Sequence, residues 1–245
     1  MNLLEIEEAS LRAWPALQQE FYDGWMLRFA NGHTKRSNSV NSIHSSTKDL
    51  FEKIQYCEKR YQEKNLTPIF RITPFVSPGN LDHHLQERDY RKIDPTLVLT
   101  LKLNHLTIQQ RSDTELQLMG IHEWFECFCN FQDENNRKQQ THKEILEAMP
   151  PRTSFASLFS SGEVVACGIG VYEGEYVGLF NFITNPCHRR KGFGKDILAS
   201  ILHHARGQGA MKAYLQVEEK NLSALNLYSK CGFEVAYSYW YRIKA

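Results

Sequence analysis

The sequence predicts an α+β chain, a mixed and mainly antiparallel sheet flanked by helices, preceded by a smaller α/β unit. Three observations carry that expectation. First, the runs Ser154 to Phe159, Glu163 to Tyr172 and Tyr176 to Thr184 follow one another with turns at Ser161-Gly162 and Glu173-Gly174, as consecutive antiparallel strands do. Second, the last run passes through a basic loop, Pro186-Cys187-His188-Arg189-Arg190-Lys191-Gly192-Phe193-Gly194, into a helix. That helix places Ile197, Leu198, Ile201, Leu202 and Ala205 on one face. Third, residues 1–104 hold their own order of helix, hairpin, helix, strand, short helix and strand.

Taken in order, Ser10 to Tyr22 reads as a helix or broken helix, with Pro15 near a turn. Trp25 to Phe29 is a strand running into Asn31-Gly32, a two-residue hairpin signal, and the return strand includes Arg36 to Val40. Leu50, Ile54, Cys57 and Tyr61 recur at helical spacing, which makes Lys48 to Lys64 an amphipathic helix. Ile69 to Ile72 is a short buried strand, Leu81 to Arg88 a short helix starting near Asn80, and Thr96 to Leu103 an alternating strand. The second unit spans residues 105–245. In it, Asp113 or Thr114 caps a helix bearing Leu116, Leu118, Met119, His122 and Phe125, with Trp124, Phe128 and Phe131 adding aromatic bulk. A polar stretch, Gln132 to Gln140, precedes a short helix from His142 to Met149 that Pro150-Pro151 stops. Beyond the basic loop and its helix come a strand, Met211 to Val217, and a helix capped by Asn221 that runs to Lys230. Gly232 ends that helix, and Phe233 to Ile243 is the last strand.

Composition narrows the function classes. A net charge of +1 over 245 residues offers no broad basic field, which disfavours a dedicated nucleic-acid binder. No apolar run approaches membrane-spanning length, and the acidic start Met1 to Glu8 lacks the pattern of a signal peptide. The six cysteines form no CxxC pair, and Cys127 and Cys129 stand too close for structural zinc spacing. Reduced thiols in a cytoplasmic protein, with no metal and no disulfide, are the expectation.

The basic loop is an anion site by its construction. The first amides of the helix have no internal partner, the dipole favours negative charge, and glycines let consecutive N–H groups converge on phosphate oxygens. It is not a P-loop, because Gly194-Lys195 is followed by Asp196 and the earlier glycine would fall on Arg189. Nor is Gly168-Ile169-Gly170 a dinucleotide fingerprint, since Glu173 stands where the third glycine belongs. What fits is Arg189-x-x-Gly192-x-Gly194, which resembles the [Q/R]xxGx[G/A] loop of the GNAT superfamily of acyl-CoA-dependent N-acyltransferases. A second stretch follows at the expected remove: Leu215-Gln216-Val217-Glu218, then Asn221-x-x-Ala224-x-x-Leu227-Tyr228-x-Lys230-Cys231-Gly232-Phe233. It resembles the second signature of that family. Independently of the family, Asn221, Ala224 and Tyr228 share one helical face, suited to a groove for a slender polar ligand. Tyr22 to Val40, with Asp23-Gly24-Trp25-x-x-Arg28 and Arg36-Ser37-Asn38-Ser39-Val40, looks like the leading half of two-part members similar in layout to mycothiol synthase. There a degenerate GNAT-like domain (here residues 1–104) precedes the catalytic one (105–245).

The resemblance implies acetyl-CoA as co-substrate and direct acetyl transfer to an amine in a ternary complex. The amides of Lys191, Gly192, Phe193, Gly194 and Lys195 would hold the pyrophosphate, with Arg189 and Arg190 adding charge. Backbone groups of Phe182, Ile183 and Thr184 would pair with pantetheine where the sheet splays, the Ile183 amide polarising the thioester carbonyl. Asn221 and Ala224 would flank the cofactor, and Tyr228 would protonate the leaving thiolate. A general base is missing: Tyr176 to Thr184 contains no carboxylate, and Asn181 either orients a water or substrate or is a satisfied buried amide. Glu175 and Glu123 are distant candidates, His122 reads as a core histidine, and His83-His84 and His203-His204 read as helix-surface residues. The aromatic helix Trp124 to Phe131 either lines an acceptor pocket or packs the core. The acceptor is a small-molecule or peptide amine of unspecified identity, and a homodimer is left open. A rival class keeps the fold as a non-catalytic acyl-CoA-binding or interaction module, and a remoter one binds another phosphate ligand or nucleotide.

Overall fold

The computed structural model describes residues 2–106, 108–132 and 136–244. Its first helix, α1 (Leu3–Ala13), starts earlier than expected: the Asn2 side chain accepts the Leu4 amide at 3.1 Å, and Ile6, Ala9 and Ala13 turn inward. Trp14 leaves the helical conformation just before Pro15, as residues preceding proline do. The segment after it is not helix but strand β1 (Gln18–Tyr22), paired with β2 (Trp25–Phe29) across a two-residue turn. Asp23 and Gly24 both take positive φ there, 43° and 80°. Asn31 and Gly32 also take positive φ, yet they open a longer loop rather than a hairpin. After a single 3₁₀ turn, Lys35–Ser37, only β3 (Val40–Asn41) returns to pair with β2. The Asn38 side chain organises this loop by accepting the amides of Ala30 (2.7 Å) and Gly32 (3.0 Å) and donating to the carbonyls of His33 (2.7 Å) and Thr34 (2.8 Å).

α2 (Leu50–Glu63), β4 (Ile69–Ile72) and α3 (Leu81–Glu87) lie where the pattern put them, and β5 (Tyr90–Lys102) is longer than its alternating stretch. The expected helix from Asp113 is instead strand β6 (Thr114–Leu118) followed by α4 (Ile121–Asn130). Leu116, Leu118 and Met119 satisfy both periods over so short a window, and Gly120 divides them. α5 (Asn136–Glu147) takes in part of the polar stretch, of which residues 133–135 lie outside the described residues. β7 (Thr153–Ser160), β8 (Glu163–Glu173), β9 (Tyr176–Thr184), α6 (Phe193–Gly207), β10 (Lys212–Glu218), α7 (Leu222–Lys230) and β11 (Glu234–Lys244) follow in the expected order.

The described residues form one sheet of eleven strands, ordered β1-β2-β3-β4-β11-β5-β10-β9-β8-β7-β6. β3 with β4 and β9 with β10 are parallel, and the other neighbours are antiparallel. The last strand therefore lies between β4 and β5, both from the first half. One face of the second half packs α6 and α7 onto Leu99, Ala213, Leu215 and Val217. The opposite face carries α1, α4 and α5 over Val98, Tyr214, Tyr237, Tyr239 and Tyr241. A third cluster buries α2 and α3 against β2, β3 and β4. Arg71 on β4 and Glu7 on α1 form an ion pair with no exposure on either side chain, and the Tyr237 hydroxyl donates to Glu7 at 2.6 Å.

Candidate active site

The strands β9 and β10 pair only from Lys212 opposite Tyr176 to Leu215 opposite Leu179. Beyond that point they part. β10 continues beside β5 from Gln216 to Glu218, while β9 stays with β8 through Ile183 opposite Cys167 and Thr184 opposite Ala166. The parting begins at a bulge, where Asn181 takes φ 49° and the β8 register slips. Among the described residues, no strand pairs with the outer edge of Phe182, Ile183 and Thr184. Those peptide groups are open to an extended ligand.

The basic loop leaves the end of β9 through a short 3₁₀ turn, Pro186–His188, in which Asn185 accepts the Cys187 amide at 3.0 Å. Arg190 and Gly192 both take positive φ, 63° and 93°, and Gly192 precedes the first turn of α6 without any side-chain cap. The amides of Phe193 and Gly194 are thus left for an outside acceptor, whereas that of Lys195, expected to join them, turns back to the Gly192 carbonyl at 2.9 Å. Arg189, Arg190, Lys191 and Lys195 are exposed and make no ion pair with a described carboxylate. Arg111 ties the loop down: its Nη1 donates to the Lys191 carbonyl at 3.1 Å and lies 3.5 Å from Asp196, and its guanidinium stacks on Phe193. Burial raises the Asp196 carboxyl, which Arg111 partly offsets. Sequence reasoning missed Arg111, because the tether joins residues 80 positions apart in the chain.

α7 closes the other side. Asn221 caps it by accepting the Ala224 amide at 3.1 Å, so its side-chain oxygen is engaged within the helix. Gly232 at φ 85° ends it, with the Phe233 amide bonded to the Tyr228 carbonyl at 3.0 Å. Leu227 reaches the loop, since a Cβ on Gly194 would lie 3.6 Å from its Cδ2 and 3.4 Å from Thr184 Oγ1. Tyr228 is half-buried against the core, and burial, then the neighbouring Cys231, pushes its phenol up to about 12, so it holds its proton at neutral pH. The pattern that marked Asn221, Ala224 and Tyr228 places them on one α7 face, near the loop but on the α6 side of the sheet.

On the opposite face lies a cavity of about 390 Å³, whose lining includes Trp14, Lys35, Arg36, Asp94, Asn181, Gln216, Glu218, Tyr239 and Tyr241. Asn181 and Gln216 belong to the two strands that part, so the splay joins this cavity to the loop side. The Asn181 amide donates to His142 Nε2 at 2.7 Å, so it is satisfied and also lines the cavity. His142 on α5 is enclosed by Trp14, Phe125 and Phe128, and burial followed by the nearby His33 lowers it to about 4, leaving it neutral. The carboxylates expected at a distance are elsewhere: Glu175 sits at the start of β9 beside Lys212, and Glu123 is exposed on α4. His122 is exposed rather than in the core. Trp124 is wholly buried, its indole donating to the Ala156 carbonyl at 3.0 Å, and so belongs to the core rather than to a pocket. The carboxylates that do line the cavity are Asp94 and Glu218, neither of which the sequence singled out as a candidate base.

Residues 2–242 match the family described as "Probable histone acetyltransferase Rv0428c C-terminal". The chain is 29% identical, over 99% of both chains, to a Bacillus subtilis protein named "Uncharacterized N-acetyltransferase YobR". A shorter stretch, 32% of this chain and 53% of the other, is 28% identical to the "[Ribosomal protein bS18]-alanine N-acetyltransferase" of Escherichia coli. Among solved structures, a "GCN5-related N-acetyltransferase" from Kribbella flavida superposes with a TM-score of 0.74 at 14% identity, covering 98% of this chain and 94% of that one. The fold is shared across that sequence distance.

Proposed function

Because this chain belongs to the Rv0428c C-terminal family and is a GNAT N-acetyltransferase, we propose that it moves an acetyl group from acetyl-CoA directly to an amine held in the same complex. The observation that carries this reading is the parting of β9 from β10 beside the uncapped N-terminus of α6. An extended donor laid along Phe182 to Thr184 would meet the loop with its diphosphate and the splay with its thioester. The residues fit such a group: Gly192 holds a conformation that residues with side chains rarely adopt, and four cations without an ion pair to a described carboxylate surround the open amides.

In this arrangement the amides of Lys191 to Gly194 bind the diphosphate and Arg189 and Arg190 supply charge, while Lys195, whose amide is engaged by the Gly192 carbonyl, contributes through its side chain. The Ile183 amide faces the reacting carbonyl. The amine nitrogen bonds to the acetyl carbon as the carbon–sulfur bond breaks, Tyr228 gives its proton to the departing sulfur, and the proton that the nitrogen sheds on becoming an amide passes through water to restore the Tyr228 phenol. Asn221 contributes through the helix cap that positions Ala224 and Tyr228 rather than through its own oxygen.

The repeated order of elements supports a division into related halves at residues 1–104 and 105–245. From α1 and from α5 onward each runs helix, three strands, helix, strand, helix, strand, the second half adding β6 and α4 ahead of this order, with a parallel pair, β3·β4 or β9·β10, where the third strand meets the fourth. Asp89 takes φ 62° after α3, where Gly232 takes φ 85° after α7. The final strands β5 and β11 are exchanged between the halves. Only the second half carries the glycine loop, so one donor site is expected.

Thiol release from acetyl-CoA across a panel of amines tests the reading, with Tyr228→Phe as the probe. General acid assistance is commonly worth about 10²–10⁴-fold, so turnover should fall at least tenfold while CoA affinity stays unchanged. Unaltered turnover removes Tyr228 from the chemistry, and CoA binding without acylation of any amine favours a binding module.

A further inference from the structure

We infer that the acceptor amine carries a carboxylate, held by Arg36 and Gln216 in the cavity beside the splay. This deepens the transfer reading and rests on it. The cations near this cavity differ in what they already do. Lys35 is committed to Asp94 at 2.7 Å, and Lys220 to Glu218 at 2.7 Å. Arg36 makes no ion pair with a described carboxylate, and its Nε is buried without a hydrogen-bond partner. Its guanidinium is nonetheless held in place, 5.6 Å from the Phe180 ring and 5.9 Å from that of Trp14. Its backbone is held as well. Arg28 donates to the Arg36 carbonyl at 3.0 Å, and Asn38 knots the loop just before and after it. A guanidinium that is positioned but unpaired is prepared for a planar anion.

Gln216 supplies the second donor. Its Oε1 accepts the Tyr239 hydroxyl at 2.8 Å, which leaves Nε2 buried and unmatched. Buried donors without acceptors are uncommon and costly, and here two belong to residues that line one cavity. A guanidinium and an amide N–H together match the two oxygens of a singly charged carboxylate. A phosphate, with nearly two charges, would find one unpaired cation. The ionic lining as a whole is balanced, Lys35 and Arg36 against Asp94 and Glu218, which suits a ligand bearing both an amine and an acid. A volume of about 390 Å³ admits an amino acid or the end of a short peptide, not a folded chain. The sites for donor and acceptor then lie on opposite faces of the sheet and meet at the splay.

The test compares free amino acids and short peptides with their C-terminal amides. Binding is read by thermal shift without acetyl-CoA, and transfer by thiol release, in the full-length wild type, Arg36→Met and Gln216→Glu. The wild type should favour acids over amides by about 30-fold or more, the loss expected when a desolvated charge pair is broken. Arg36→Met should abolish the preference and Gln216→Glu should reverse it, both with CoA affinity unchanged. Equal use of amides, a preference that survives Arg36→Met, or no binding by either series overturns the proposal. Selective binding of acids without acetylation would instead sink the transfer reading and leave carboxylate recognition standing.

Discussion

Alanine at Gly192 and at Gly194 separates backbone conformation from space in the same loop. Gly192 sits at φ 93°, and a Cβ there would meet nothing nearer than Asp196 Oδ2 at 3.8 Å and Arg111 Nη1 at 3.9 Å. The penalty is therefore conformational, about 1–2 kcal/mol for an L-residue on the left-handed side. Gly194 carries no such strain, and its Cβ would make ordinary contacts with Thr184 and Leu227. Inside the first turn of α6, alanine there should even gain up to about 1 kcal/mol of helix propensity. If the loop amides bind the diphosphate only in the observed conformation, Gly192→Ala weakens acetyl-CoA by about 5–30-fold, since 1.4 kcal/mol is tenfold. Gly194→Ala leaves affinity and urea midpoint unchanged or slightly improved. Titration calorimetry with CoA and urea unfolding of each variant provide the comparison. Normal CoA binding by Gly192→Ala, or equal weakening by both variants, would refute the assignment of this loop as the cradle.

Glu7→Ala strands Arg71 as an unpaired buried charge and should cost about 3–5 kcal/mol, whereas replacing both residues by apolar ones of similar volume should cost much less; urea midpoints of the single and double variants check this. His142 is depressed to about 4 against an ordinary 6.5, so the unfolded chain takes up its proton first. Its contribution to stability is present above pH 6.5 and is lost as pH falls toward 4, by up to about 3 kcal/mol. The pH slope of unfolding over that window should be shallower in His142→Gln, and an identical slope would show that the ring is not sheltered. With Tyr228 held up to about 12, the pH–rate profile should not fall as pH passes 10. A decline with an apparent pKa near 10 would mean an exposed phenol.

The second half was legible because its signals are local. Strand alternation from Ser154 to Thr184, the positive-φ glycines and the Asn221 cap each act within a few residues, and the structure places those elements as expected. Errors arose where two local signals compete. Thr114 to Phe125 fits a helical period until Gly120 is given the weight of a break, and Asn31-Gly32 turns the chain without closing a hairpin because Asn38 binds the turn from outside. The cavity proposed for the acceptor has no comparable local signature. Arg36, Asp94, Gln216 and Tyr239 are far apart in sequence, and although Arg36 and Gln216 fall in stretches that resemble the family, nothing in those stretches brings the four residues together.

What gathers them is the exchange of the final strands. β5 leaves the first half to pair with β10 from Thr96 opposite Glu218 to Lys102 opposite Lys212, and β11 crosses back to lie against β4. That swap sets Asp94 and Thr96 beside Gln216 and Glu218, while β11 brings Tyr239 and Tyr241 to the same wall. Residues 105–245 alone would leave β10 without its antiparallel partner along its whole length, and a strand edge so exposed neither packs nor stays soluble easily. The first half has no phosphate loop to bind a donor of its own. Its contribution is structural to the sheet and chemical to the cavity at once, since the strand that completes β10 also leads in from Asp94. Losing the first half therefore removes one wall of the cavity together with the neighbour that holds β10 in place beside the splay.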